Sequence, residues 1–243
     1  MSIRSLRAAV SFLTVIPVAN ADGGPGERLG RAYFPAIGAL VGLVAGVAYV
    51  VSAGATTPLL GAAVAVAVLA VMTGALHLDG LADSIDGLMA HGDAGRRLEV
   101  MRDPRLGSYG VTAIAVVLLL DVAAIASMSP LRALAGLVIA GALSRLATLG
   151  IITFVPYVRP AGLGVAAWDE RRRGLDLAVG AASAAVVCLL DWKRAVVAIP
   201  IVALVGVTLA VAARRRVGGA TGDICGAVAE LGQLATLLVF AVR

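Results

Sequence analysis

Asp79, Asp83 and Asp86 stand in the run His77-Leu-Asp79-Gly-Leu-Ala-Asp83-Ser-Ile-Asp86-Gly87, directly after a long apolar segment. On a helix turning about 100° per residue, the three carboxylates fall within an arc of about 60°. Carboxylates on one face repel each other unless a cation sits among them. No Lys or Arg occurs from 77 to 95, so local ion pairing does not neutralise them. Mg²⁺ takes oxygen ligands and bridges to substrate phosphates. The spacing therefore predicts metal-assisted phosphate chemistry beside a membrane, with a solvated helix face as the bland alternative. His77 projects roughly opposite to Asp79 and reads as an interfacial residue rather than a ligand.

Four arginines follow: Arg96, Arg97, Arg102 and Arg105. The guanidinium fork binds two phosphate oxygens at once. Pairing with Glu99 and Asp103 on a surface helix is the competing reading. A third constellation is Gly218-Gly219-Ala-Thr221-Gly222-Asp223-Ile-Cys-Gly226, which enters the last apolar segment. Asp223 reads either as a helix cap or as a catalytic or metal-binding carboxylate. Glu230 shares its face two turns further in, where a carboxylate is costly and functional by default. Asp121 and Arg145 lie inside two neighbouring antiparallel segments. At about 1.5 Å per residue they sit roughly 18 and 12 Å deep. A structural ion pair is the expectation, with Arg145 as a phosphate ligand the alternative.

These groups need a scaffold, and composition says which kind. The chain has 243 residues, 60% hydrophobic and 14% charged, with mean hydropathy +0.97. A soluble domain is about a quarter charged. The reading is an all-α polytopic membrane bundle in one domain spanning 1–243. Its apolar runs do not alternate as barrel strands do. Seven spans are expected over 33–53, 58–76, 109–127, 131–153, 175–190, 195–213 and 224–242. Most approach the ~20 residues that cross a bilayer, and the fifth is the shortest. Residues 5–18 are expected to form an interfacial or re-entrant helix rather than a signal peptide.

Seven spans divide the charges unevenly. Fifteen Lys and Arg residues fall on the side of the N-terminus and four on the other (Arg132, Lys193, Arg194, Arg243), with Arg145 inside a span. Such asymmetry makes the first side cytoplasmic. It accounts for the net charge of +5 through topology and lipid headgroups, without nucleic acid. The long connections, 77–108, 154–174 and 214–223, share that side and mark it as the working face. Gly38, Gly42 and Gly46 recur every fourth residue and predict close helix packing. Cys188 and Cys225 have no zinc-ligand spacing and read as packing residues.

Taken in order, the motifs resemble the cobalamin synthase family, the adenosylcobinamide-GDP ribazoletransferases. The resemblance rests on Phe12-Leu13-Thr14-x-x-Pro17, Phe34-Pro35-x-x-Gly38 and His77-x-Asp79-Gly80-Leu81-Ala82-Asp83-x-x-Asp86-Gly87. It continues through Met101-Arg102-Asp103-x-x-x-Gly107-x-x-Gly110, Arg159-x-x-Gly162-Leu163-Gly164 and Gly219-x-Thr221-Gly222-Asp223-x-x-Gly226-x-x-x-Glu230. Gln233 departs from the pattern where a carboxylate is common, and Val15 where a basic residue is frequent.

The resemblance implies a multi-pass bacterial inner-membrane enzyme with its site facing the cytoplasm. Its reaction joins adenosylcobinamide-GDP to α-ribazole or α-ribazole 5′-phosphate and releases GMP. Mg²⁺ is the implied cofactor, held by Asp79, Asp83, Asp86 and Asp223. Among these, Asp83, Asp86 and Asp223 are the catalytic candidates. Arg102, Arg105, Arg159, Arg145 and Glu230 are the substrate-binding candidates. Self-association and docking of other cobalamin-assembly enzymes stay open. The rivals are a CDP-alcohol phosphotransferase, a membrane prenyltransferase and a transporter. The first lacks support because Asp83 and Ser84 stand where that motif has Ala and Arg. The second lacks its second aspartate-rich motif, and the third shows no internal repeat.

Overall fold

In hydrocarbon every backbone N–H and C=O must find its partner within the segment, so apolar runs of Ala, Val, Leu and Gly fold as helices. The computed structural model describes residues 2–18, 29–159, 167–168 and 172–242. Among them the chain forms α1 (Ile3–Leu13), α2 (Phe34–Ala55), α3 (Pro58–Thr73), α4 (Leu76–Met89), α5 (Ala94–Val100), α6 (Ser108–Ala126), α7 (Pro130–Phe154), α8 (Arg173–Cys188), α9 (Trp192–Val217) and α10 (Gly222–Ala241). No β-strand forms among the described residues. A single isolated parallel bridge joins Tyr157 to Ala220.

Starts and stops follow local chemistry. Thr57 caps α3 through Leu60 N–H, with Pro58 at the first helical position. Thr221 caps α10 through Ile224 N–H in the same way. α3 ends at Gly74 and Ala75, both left-handed with φ +60° and +56°. There the chain bends by 88° into α4. The acidic stretch is therefore a separate helix running across one end of the bundle, not a continuation of the second span.

Five helical segments of the described residues are long and apolar enough to cross a membrane, or six if the bent α3–α4 pair counts as one. The longest of these, Arg173–Val217, covers 45 residues. It folds back on itself at Leu189–Asp191. Asp176 near its start pairs with Arg31 at 2.8 Å, just before α2, and Arg214 near its end donates to the Phe154 carbonyl at the end of α7. Those two points belong to the same end of the bundle, because α2 and α7 are antiparallel: Gly38 packs on Gly141, and Gly46 on Leu134. α8 and α9 thus leave and return. With α2, α3, α6, α7 and α10 they make seven helical passes through the bundle, whose bounds agree with the expected spans to within a few residues, while α3 and α8, at 16 residues each, are short for a membrane crossing. The Gly38–Gly42–Gly46 stripe performs the packing role expected of it.

The core divides by depth. Tyr49, Ile125, Leu137, Leu237 and Phe240 fill the half remote from α4. Phe34, Leu81, Ile151, Ile152 and Val228 fill the half beneath it. α1, α4, α5 and the loop after α7 gather at that second end.

Candidate active site

Two glycines bring the acidic helix to the last span. A Cβ on Gly226 would stand 3.0 Å from the Gly80 Cα and from the His77 carbonyl oxygen. A Cβ on Gly80 would stand 3.0 Å from the Asp223 carbonyl oxygen. Backbone therefore lies against backbone, and Asp79 and Asp83 on α4 come beside Asp223 in the first turn of α10. Their charges act on one another: Asp223, Asp79 and Asp86 all oppose ionisation of Asp83.

Asp83 is half-buried. Burial first, and then the Asp223 and Asp79 carboxylates, push its carboxyl up to about 7, against the opposing pull of Arg159. Asp79 is exposed. Arg159 donates to Asp223 Oδ2 at 2.6 Å and to the Met101 carbonyl at 3.2 Å, while its Nε is buried without a partner among the described residues. Thr221 Oγ1 also donates to Asp223, at 3.2 Å. Asp223 and Asp83, from two helices, thus share the charge of one guanidinium, with Asp79 beside them.

Asp86 stands at the edge of this group with both oxygens engaged. It accepts the Gly107 N–H at 2.8 Å and the Gly110 N–H at 2.9 Å. These are donors at the start of α6, whose N-cap residue, Gly107, brings no side chain of its own. The arginines separate by role. Arg102 is exposed near Tyr157. Arg105 is exposed and folded onto Asp103 at 2.9 and 2.7 Å, which holds the Asp103 carboxyl at about 2. Arg96 pairs with Glu99 at 2.6 Å. Arg97 donates to the Leu88 carbonyl at 2.5 Å, at the end of α4. Surface pairing thus describes Arg96 and Arg105, and helix-end binding describes Arg97. The Gly162–Gly164 part of the arginine motif lies outside the described residues.

Deeper in, Asp121 and Arg145 do not form the expected ion pair. Gln233 donates to Asp121 Oδ2 at 3.3 Å, while Arg145 donates to Ser144 Oγ at 2.9 Å and lies 3.5 Å from His77 Nδ1. The reason is the break in α3. It admits the first turn of α4, so buried His77 comes beside Arg145 while α10 presents Gln233 to Asp121. Asp121, Arg145, Glu230 and Gln233 line one small polar cavity with Thr73 and Leu78. Arg145 and Glu230 are thus separate from the Asp83–Asp223 group, and His77 is buried rather than interfacial.

Sequence reasoning missed Thr221 as a second partner of Asp223, although Thr before Gly-Asp at a helix start is a cap signature. It also missed the Met101 carbonyl, for which a residue type carries no signal.

A family model described as cobalamin-5-phosphate synthase matches residues 5–241. The chain belongs to the cobalamin-5-phosphate synthase family. Members of this family are transferases, and so is this chain. It is 37% identical over 243 residues to an adenosylcobinamide-GDP ribazoletransferase of Bradyrhizobium diazoefficiens, covering 98% of this chain and 94% of that one. It is 39% identical to the protein of that name from Stutzerimonas stutzeri, with 98% of both chains covered. The counterpart in Pseudomonas fluorescens is 38% identical, with 96% of this chain and 97% of that one covered. No solved structure matches. In this member of the family the described residues form a helical membrane bundle whose acidic helix lies across one end.

Proposed function

We propose that the chain transfers the adenosylcobinamide phosphate of adenosylcobinamide-GDP to α-ribazole or its 5′-phosphate and releases GMP. The observation that carries this reading is the meeting of Asp79 and Asp83 on α4 with Asp223 on α10, where Arg159 pairs with Asp223 at 2.6 Å. The names of the relatives supply the substrates, and the site supplies phosphate chemistry.

The donor set fits Mg²⁺. Among the described residues no three His, Cys, Asp or Glu side chains come together as a group able to hold a metal ion by themselves. Mg²⁺ does not ask for one, because it is held by one or two carboxylates with waters and substrate phosphates completing the shell. The raised Asp83 carboxyl marks a surplus of negative charge that a cation relieves. Asp79 and Asp223 are the residues that would hold the ion, which neutralises phosphoryl oxygens and eases departure of GMP.

The remaining roles fall to side chains. The ribazole 3′-hydroxyl oxygen attacks the phosphorus nearer the corrinoid. The bond from that phosphorus to the GMP phosphate oxygen breaks, and its electron pair leaves with GMP. Asp83 takes the hydroxyl proton, since its carboxyl near 7 suits a base at neutral pH. Arg159, with one buried N–H unpartnered among the described residues, stabilises the phosphoryl oxygens, and exposed Arg102 receives the leaving nucleotide. Asp86 holds the start of α6 in place. Arg145 and Glu230 form a deeper layer that supports α4 through His77.

The site end faces the cytoplasm of a bacterial inner membrane in this reading. It carries Arg4, Arg7 and the arginines of α5, the α7–α8 loop and the end of α9, while Arg132, Lys193 and Arg194 mark the other end. The test is purified protein in liposomes, given both substrates. GMP release that needs both substrates and Mg²⁺ supports the proposal, and release without ribazole contradicts it.

A further inference from the structure

We infer that the half-buried ring of Tyr157, backed by Trp168, seats the planar nitrogen base of a nucleoside or nucleotide bound at this site. The inference rests on the proposed phosphotransfer and adds the group that recognises a base. Aromatics are scarce in the chain, with four Tyr, four Phe and two Trp in 243 residues. Two ring pairs form among the described residues. Phe12–Phe34 belongs to the packing of α1, whereas Tyr157–Trp168 stands beside the carboxylates.

Trp168 is fixed from several sides. It is buried, and its Nε1 donates to the Val155 carbonyl at 2.9 Å. Arg173 donates to its carbonyl at 2.7 Å, and Arg31 donates to the neighbouring Ala167 carbonyl at 2.8 Å. Tyr157 lies on it with ring centroids 4.5 Å apart and planes tilted by 34°. The Tyr157 backbone is held as firmly. Val158 N–H donates to the Ala220 carbonyl at 3.1 Å, and Ala220 N–H to the Pro156 carbonyl at 2.8 Å. That bridge ends one residue before the Thr221 cap of α10.

The ring stands close to the site: Arg159, two residues on, reaches Asp223 at 2.6 Å. The charges of Arg159, Asp223 and Arg102 all act on the Tyr157 hydroxyl. That hydroxyl has no hydrogen-bond partner among the described residues. A rigid, half-exposed aromatic face next to guanidinium and carboxylate groups suits a flat heterocycle carried on a phosphorylated sugar. Both proposed substrates carry such a base next to the phosphates or sugar that react: guanine in the GDP of the donor, and the base of the ribazole.

The test titrates GMP and α-ribazole separately into the full-length protein in nanodiscs with Mg²⁺. It compares wild type with Tyr157→Leu, which keeps bulk without a π face, and Tyr157→Trp, which enlarges it. Stacking of one base is worth about 1–3 kcal/mol, roughly five- to 150-fold in Kd. Tyr157→Leu should weaken one of the two ligands by that factor and leave the other as in wild type. Tyr157→Trp should bind both within about threefold of wild type. Loss for GMP assigns the seat to the departing nucleotide, and loss for ribazole assigns it to the acceptor. Should Tyr157→Leu not purify as a folded protein, Tyr157→Gln against Tyr157→Phe applies the same criterion. Unchanged binding of both ligands overturns the inference, as does equal loss for both, or a loss in Tyr157→Trp matching that in Tyr157→Leu. Those results leave the proposed function standing if wild type releases GMP. A wild type that binds neither ligand and releases no GMP sinks both.

Discussion

Arg159 reaches Asp223 across 2.6 Å, and with this contact the loop after α7 is tied to the first turn of α10. The pair is mostly buried, with side chains 14% and 17% exposed. Removing the guanidinium leaves Asp223 facing Asp83 and Asp79 with no cation between them. Losing one partner of a buried pair costs about 3–5 kcal/mol, and the residual exposure places this pair at or below the low end. Arg159→Ala is expected to lower thermal stability and to cut GMP release at least about 100-fold. Arg159→Lys should restore much of the stability and little of the turnover, because a point charge does not reproduce the fork. Melting curves and GMP release on the same preparations separate the two effects.

Asp86 is a structural carboxylate in this account. Its two oxygens accept the Gly107 and Gly110 N–H groups at 2.8 and 2.9 Å. Asp86→Ala removes a cap worth about 1–2 kcal/mol. It should lower the melting temperature clearly, whereas Asp83→Asn should leave it near wild type. A thermal-shift comparison of the two variants checks this directly.

The approach of α4 to α10 depends on Gly226, where an added Cβ would stand 3.0 Å from backbone atoms of Gly80 and His77. Backbone on both sides cannot rotate away. Gly226→Val should separate the carboxylates and abolish GMP release while the protein still inserts in membranes. Gly222→Ala, where an added Cβ meets nothing within 4 Å, should retain activity. The two variants assayed side by side distinguish a packing requirement from general sensitivity of this turn.

The seven traverses were legible because hydrophobic length and arginine placement are local properties of the chain. So was the acidic face, since Asp79, Asp83 and Asp86 share one helix. What joins distant segments was not legible. The partners of Asp86 lie 21 and 24 residues on, and nothing in their type, glycine, announces a donor. The Asp121–Arg145 pairing failed because counting depth along straight helices ignores the bend at Gly74–Ala75, which lets α4 insert His77 beside Arg145. The Tyr157–Trp168 pair depends on a bridge to Ala220 that neither segment encodes by itself.

The acid side of the pH profile is expected to respond to Mg²⁺. Asp83 must be ionised to accept a proton, and its carboxyl lies near 7 through burial and like charges. Activity should therefore fall as pH drops through that region. Bound Mg²⁺ adds positive charge nearby and favours the ionised form, so the acid limb should move to lower pH as Mg²⁺ is raised. Profiles of kcat/KM at limiting and saturating Mg²⁺ test this. An acid limb that ignores Mg²⁺ contradicts placing the ion beside Asp83.

The most direct measurement is GMP release by Asp83→Asn in liposomes containing adenosylcobinamide-GDP, α-ribazole and Mg²⁺. A folded, membrane-inserted protein is expected, with a release rate about 10²–10⁴-fold below wild type, the usual contribution of a positioned base. Release at the wild-type rate by Asp83→Asn would contradict that role.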